Sequence, residues 1–174
     1  MENRPVFLPA FTYGVLISIV LVLFKLILYL TGVDDQSSWQ LIYYVILALG
    51  LLYSMKTIRD KRLDGFMTFG KAFMVGFYAV VAISIIMAIY TYLYMTVINP
   101  GMVADMLLQA EDKILEANPD MSDEDIQKAL DAARMFMKPG IMAFSSLIMT
   151  MITGSLLSLV AAAFAKKKKV EVEI

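Results

Sequence analysis

Four apolar runs, each close to the roughly 20 residues that a helix needs to cross a bilayer, constrain this chain more than any other feature. They extend from Leu8 to Leu30, Trp39 to Met55, Lys71 to Ile98 and Ile141 to Ala165. A bilayer interior offers no water to the backbone, so each run must satisfy its own N–H and C=O groups as a helix. The fold class that follows is all-α: an integral membrane four-helix bundle, with residues 99–139 forming an extracytoplasmic amphipathic helical hairpin between spans three and four. Composition agrees, since 60% of the 174 residues are hydrophobic and 18% are charged, leaving too little polar surface for a soluble domain. The second run is short, so it sits nearly upright or lets its flanking residues reach to the interfaces, whereas the third is long and tilts. The first is too long for the h-region of a signal peptide and no small-x-small site closes it, so it reads as a retained span.

Charge separates by side. The N-terminal end, the 56–71 connection and the 166–174 tail hold Arg4, Lys56, Arg59, Lys61, Arg62, Lys71 and Lys166 to Lys169, ten basic residues against five acids. Residues 31–38 and 99–139 hold four bases (Lys113, Lys128, Arg134, Lys138) and eleven acids. The positive-inside rule then puts both termini and the 56–71 connection in the cytoplasm. A formal net charge of −1 conceals this separation. Tyr29, Trp39, Tyr43, Tyr44, Tyr90, Tyr92 and Tyr94 all fall at the outer boundary, as an interfacial aromatic belt requires. Packing inside the bundle is the other use open to Tyr90, Tyr92 and Tyr94, because alternate helical residues point to different sides.

Helices associate in lipid by close approach, so small residues at i, i+4 spacing mark contact faces. Span four has Ser146, Thr150, Gly154, Ser158 and Ala162; span three has Ala72, Gly76, Ser84 and Ala88, interrupted by Val80; span one has Ala10, Gly14 and Ser18. These stripes predict spans three and four as a close pair with span one against them. The hydroxyls fit either packing with i−4 back-bonding or a polar path. Lys25 is the one ionisable residue well inside a span, about 7–8 Å from the outer end of its helix. Its stem can snorkel to the surface, or it can bind an anionic lipid, a substrate or a partner.

Lys56, Arg59, Lys61 and Arg62, together with the terminal lysine run, set the topology and are also expected to attract anionic lipid headgroups at the cytoplasmic face. A nucleic-acid role is not expected for basic residues at a membrane end. In the outer segment, Met102, Met106, Ala110 and Ile114 repeat at i+4 beside Leu107 and Leu115, which predicts an amphipathic helix. Asn118-Pro119 breaks it. Ser122 then caps a second helix whose first turn is acidic and whose apolar face is Ile126, Leu130, Ala133 and Met137. Asp120, Ser122, Glu124 and Asp125 lack the glycine and distal Glu of a calcium loop, so no metal site is expected. Met102, Met106, Met121, Met135 and Met137 suit an adaptable contact surface for membrane, bundle or partner.

The stretch Gly65-Phe66-Met67-Thr68-Phe69-Gly70-Lys71-Ala72-Phe73, followed by Gly76, then Tyr90, Tyr92 and Tyr94, then Ile98-Asn99-Pro100, resembles the middle of the DUF4199 family. The resemblance implies a small bacterial four-span protein of unknown function, in the inner membrane, with the hairpin in the periplasm. It carries over no site residues.

His and Cys are both absent, which removes disulfides, Cys/His metal sites, thiol nucleophiles and the best proton exchanger near neutral pH. No span holds a carboxylate for a proton relay. Asp60 and Asp64 are the only candidate acids near the inner surface for lipid chemistry, and their spacing fits an ordinary pair. The expected protein is therefore non-catalytic and without cofactor. It is an accessory or assembly subunit that binds other membrane proteins or copies of itself through faces such as Gly76, Ser84, Ser146, Thr150, Gly154 and Ser158. The alternative is a small transporter or channel whose path is lined by Lys25 and the Ser/Thr faces.

Overall fold

The computed structural model describes residues 5–33 and 39–167. Arg4, Asp34, Asp35, Lys168, Lys169 and the rest of the tail enter the charge tally but lie outside the described residues. Helix accounts for 85% of the structure and no strand occurs among the described residues, so the protein is all-α. The helices are α1 (Phe7–Leu30), α2 (Trp39–Arg62), α3 (Phe69–Leu93), α4 (Met102–Ala117), α5 (Asp123–Phe136) and α6 (Pro139–Ala165). A single π-helical turn, Tyr94–Ile98, extends α3. Four helical segments are long and apolar enough to span a bilayer: Phe7–Leu30, Trp39–Arg62, Phe69–Ile98 and Pro139–Ala165.

The chain divides into two compact units, one of Met1–Met87 with Ile148–Ile174 and one of Ala88–Leu147. In the first, α1, α2, the larger part of α3 and the end of α6 form a bundle held by close approaches. A Cβ on Gly14 would overlap the carbonyl oxygen of Ala79 and lie 2.8 Å from the Ala82 Cβ, so α1 rests directly on the α3 backbone. A Cβ on Gly76 would overlap the Ser158 Oγ and the Met55 methyl, which seats α6 and α2 against α3. A Cβ on Gly154 would lie 2.8 Å from the Val80 Cγ1. Val80, which interrupts the small-residue stripe of α3, is thus the knob that fills the Gly154 notch of α6. Gly50 of α2 receives Ile17 of α1 in the same way, at 2.9 Å. The most buried span is α3, at 56% of its core window against 22–28% for the others, because three helices share it.

Buried hydroxyls in this unit are used by the backbone. Ser18 donates to Gly14 O at 2.7 Å, Ser54 to Leu51 O at 2.7 Å and Ser84 to Val81 O at 2.9 Å. Ser158 crosses between helices to Phe73 O at 3.5 Å. The outward faces are apolar, with Leu16, Ile19, Val20, Leu23 and Ile27 exposed along α1 and Ile152, Leu156, Leu159, Val160 and Phe164 along α6. Such continuous apolar surface far exceeds what a water-soluble monomer displays.

In the second unit, Asn99 N donates to Tyr94 O at 2.7 Å, which closes the π turn, and Pro100 stops the helix. Thr91 donates to the Ser146 hydroxyl at 3.1 Å, and the Tyr90 and Tyr94 rings lie 5.7 Å apart. Two helices, α4 and α5, pack on one another. Ile126 and Leu130 are buried, while Met102, Met106, Ala110, Ile114, Ala133 and Met137 are half-buried. The Ser122 hydroxyl accepts from Asp125 N at 3.3 Å and donates to the Asp125 carboxylate at 2.8 Å, a side-chain cap on α5.

Candidate functional site

The basic residues expected in a loop after span two stand instead on helix, because α2 runs about two turns past Met55 to Arg62. No breaker interrupts residues 56–62, Ile58 continues the buried face, and Arg59, Lys61 and Arg62 suit the negative end of the helix dipole. The stop comes at Asp64 and Gly65, with left-handed φ values of 53° and 81°. Leu63 N and Gly65 N both donate to Arg59 O, at 3.1 and 3.0 Å. The chain then runs extended through Met67 before the Thr68 hydroxyl accepts from Lys71 N at 3.3 Å and starts α3.

At this turn the end of α6 is tied in. Met67 N donates to Lys167 O at 2.9 Å and Lys167 N to Met67 O at 2.8 Å, an isolated antiparallel bridge. Arg59 Nη1 donates to Ala165 O at 2.9 Å, satisfying one of the open carbonyls at the α6 terminus. The rest of its guanidinium grips Asp60, with Nε to Oδ1 at 2.7 Å and Nη2 to Oδ2 at 3.1 Å. Lys167 Nζ stands 5.7 Å from the Phe66 ring centroid, within cation–π range. Lys56 and Lys167 both act electrostatically on the Asp60 carboxylate along with Arg59. Together they hold the Asp60 carboxyl below the usual carboxylate range, the hydrogen bond from Arg59 contributing most. Lys61 and Arg62 are exposed on the last turn of α2.

Lys25 is half-buried on α1, its ammonium 5.6 Å from the centroid of the Tyr43 ring on α2, and Tyr43 in turn meets Tyr44 edge-on at 5.4 Å. The aromatic partner gives the intramembrane cation a local countersurface that hydropathy does not announce. Among the packing residues, Gly76, Ser84, Gly154 and Ser158 are buried, and Ser146 and Thr150 are half-buried. Gly50 and Val80 belong to the same kind of contact and escape a search for small residues at i+4. A lone bulky residue on one stripe paired with a lone glycine on another is the signal that finds Val80 and Gly154. Nothing in the local sequence signals the Met67–Lys167 bridge. Among the described residues, no three His, Cys, Asp or Glu side chains converge as metal ligands.

A family model described as "Protein of unknown function (DUF4199)" matches residues 12–167. The chain belongs to the DUF4199 family. No curated protein and no solved structure matches it. The matched segment of this DUF4199 protein takes in the Gly14, Gly76 and Gly154 notches, Lys25 and the whole α2–α6 junction. Its Gly65-to-Phe73 stretch also has an identifiable architectural task. Gly65 supplies the left-handed turn, Met67 the bridge, Thr68 the cap of α3 and Phe66 the ring beneath Lys167.

Proposed function

We propose that this DUF4199 protein is a non-catalytic accessory or assembly subunit of the bacterial inner membrane, with both termini cytoplasmic, that binds other membrane proteins or a second copy of itself. The observation that carries this reading is the apolar surface left open on the hairpin unit. Leu108, Met135 and Phe136 are 61%, 62% and 72% exposed in a segment set between the third and fourth spans. Large side chains of this kind are the usual anchors of protein contacts. The engagement of Ser18, Ser54, Ser84 and Ser158 with backbone carbonyls supports helix packing as the use of the small-residue faces. The excess of basic residues on one side supports the orientation.

Purification of the tagged full-length protein from native membranes in mild detergent, with mass spectrometry, tests the reading. Defined membrane proteins in constant ratio, or a stable dimer, are expected, and Leu108→Ser with Phe136→Ser should release them. Recovery of a monomer alone would sink it. A transporter remains the second reading because Lys25 holds a cation within a span. Solute flux in liposomes that falls in Lys25→Ala and Thr150→Val supports it, and inactivity across a broad panel of anions and neutral solutes removes it.

A further inference from the structure

The α2–α6 junction brings like charges near one another and holds them with backbone hydrogen bonds as well as charged contacts. Lys56 stands one helical turn before Asp60 on the same face of α2, Arg59 is paired with the Asp60 carboxylate at 2.7 Å, and Lys56 and Lys167 both act on that carboxylate electrostatically. Lys167 is drawn to the Asp60 carboxylate but repelled by Lys56 and Arg59. It is held by the two backbone hydrogen bonds to Met67 and by the Phe66 ring beneath its ammonium. All three nitrogens of the Arg59 guanidinium are engaged, with Ala165 O and both Asp60 oxygens, so it positions the others. Lys56 and Lys167 are both exposed.

We infer that this junction is a binding site for the phosphate headgroup of an anionic phospholipid, with Lys56 and Lys167 as its ligands and Arg59, Phe66 and the Met67–Lys167 bridge as its frame. A phosphodiester carries one negative charge on two free oxygens, which suits a pair of exposed point-charge ammoniums. The site lies where a spanning helix ends, at headgroup level, so the diester is presented to it by the lipid already anchored in the bilayer. The inference rests on the membrane reading above and adds that the frame, beyond the number of lysines, sets the preference for lipid.

The test uses the full chain in nanodiscs of phosphatidylcholine with a minor share of phosphatidylglycerol, followed by native mass spectrometry of the lipids retained. Preferential retention of phosphatidylglycerol is expected, falling about fivefold for each of Lys56→Gln and Lys167→Gln, the attraction that one juxtamembrane cation supplies. Phe66→Leu and Arg59→Lys keep every charge and are expected to lower the preference as well, with the fold of each variant checked by circular dichroism. Lys113→Gln with Lys138→Gln, on the other side, should leave it unchanged. Wild-type preference in both Phe66→Leu and Arg59→Lys overturns the inference, as does an equal loss in the Lys113/Lys138 variant. Binding of inorganic phosphate in pure phosphatidylcholine discs at matched strength would assign the site to free phosphate and overturn the lipid. Nanodiscs expose both leaflets, so the result does not depend on orientation. Since the chain has no cysteine, Lys61→Cys labelled in intact cells reads orientation separately, and the pull-down reads partners separately.

Discussion

The contacts between spans and the contacts within the α4–α5 hairpin are made from different residues, and the solvent around each explains why. Among the spans, helices meet where side chains are smallest: Gly14 on Ala79, Gly76 on Ser158 and Met55, Gly154 on Val80. Lipid tails are as apolar as leucine, so burying leucine between spans gains little, and close backbone approach with dispersion contact decides the pairing. The hairpin instead buries Ile126 and Leu130, caps α5 with Ser122 and pairs Lys128 with Glu124 and Arg134 with Asp131. Those are devices of a helix with water on one face, where apolar burial has a driving force and exposed charge is cheap. One chain thus follows two packing rules, and substitutions can separate them.

The sharpest separation comes from two glycines. In Gly14→Val the new side chain meets the Ala79 carbonyl, a backbone atom that moves only if α1 leaves α3. The expected loss is about 3 kcal/mol or failure to fold, at the upper end of overpacking costs. Gly140→Ala, in the second unit, meets no atom within 4 Å and is expected to be neutral or to gain about 0.5–1 kcal/mol from helix propensity. Thermal unfolding in mild detergent checks both, and equal midpoints would show that close approach does not decide span pairing. Next in size is Arg59→Ala, which strips the Ala165 carbonyl of its donor and releases Asp60. A loss of about 1–3 kcal/mol is expected from the stranded carbonyl, and Arg59→Lys should recover only part of it.

How much of this was readable in the sequence follows from the same contrast. Spans, the hairpin, its Asn118-Pro119 break and the Ser122 cap all come from signals carried within a dozen residues, namely run length, 3.6-residue period and turn chemistry. The stripes on α1, α3 and α6 likewise mark contact faces, and Gly14, Gly76, Gly154 and Ser158 lie in them. What stayed hidden depends on which residue of another helix stands opposite. Val80 reads as an interruption until Gly154 faces it, and Lys25 reads as a stray charge until Tyr43 lies beneath it. The basic run 56–62 reads as loop because its charge suits an exit from the membrane, yet its Lys and Arg residues are good helix formers and the breakers come only at Asp64-Gly65. The α2–α6 junction, joining Arg59 to Ala165 and Met67 to Lys167, has no local signature.

On the hairpin side the effects are smaller and stay local. Ser122→Ala removes the acceptor for Asp125 N and the donor to its carboxylate, with an expected cost of about 1 kcal/mol. Hydrogen exchange should quicken over the first turn of α5 and stay unchanged in α1 to α3. Faster exchange throughout the spans would show that the cap also supports the bundle, and the two packing rules would no longer be separable.

The smallest effect belongs to the surface pairs. Lys128 Nζ lies 2.8 Å from Glu124 Oε1 and 3.6 Å from Asp125 Oδ1, with all three side chains more than half exposed. Spacing of i, i+4 with the acid toward the N-terminus is the favourable order, and it also agrees with the helix dipole. Water screens the pair, so Lys128→Gln should weaken α5 by only about 0.3–0.5 kcal/mol at low salt. At about 1 M salt the screening length falls to about 3 Å, and the difference between the two proteins should vanish. Exchange rates of the α5 amides at the two ionic strengths make the measurement. A difference that persists at high salt would assign the contribution to packing of the lysine stem, and even the most water-exposed helix would then be held by contact instead of charge. The span contacts supply the opposite control, since Gly76, Ser158 and Val80 carry no charge and Gly76→Leu should cost the same at either salt.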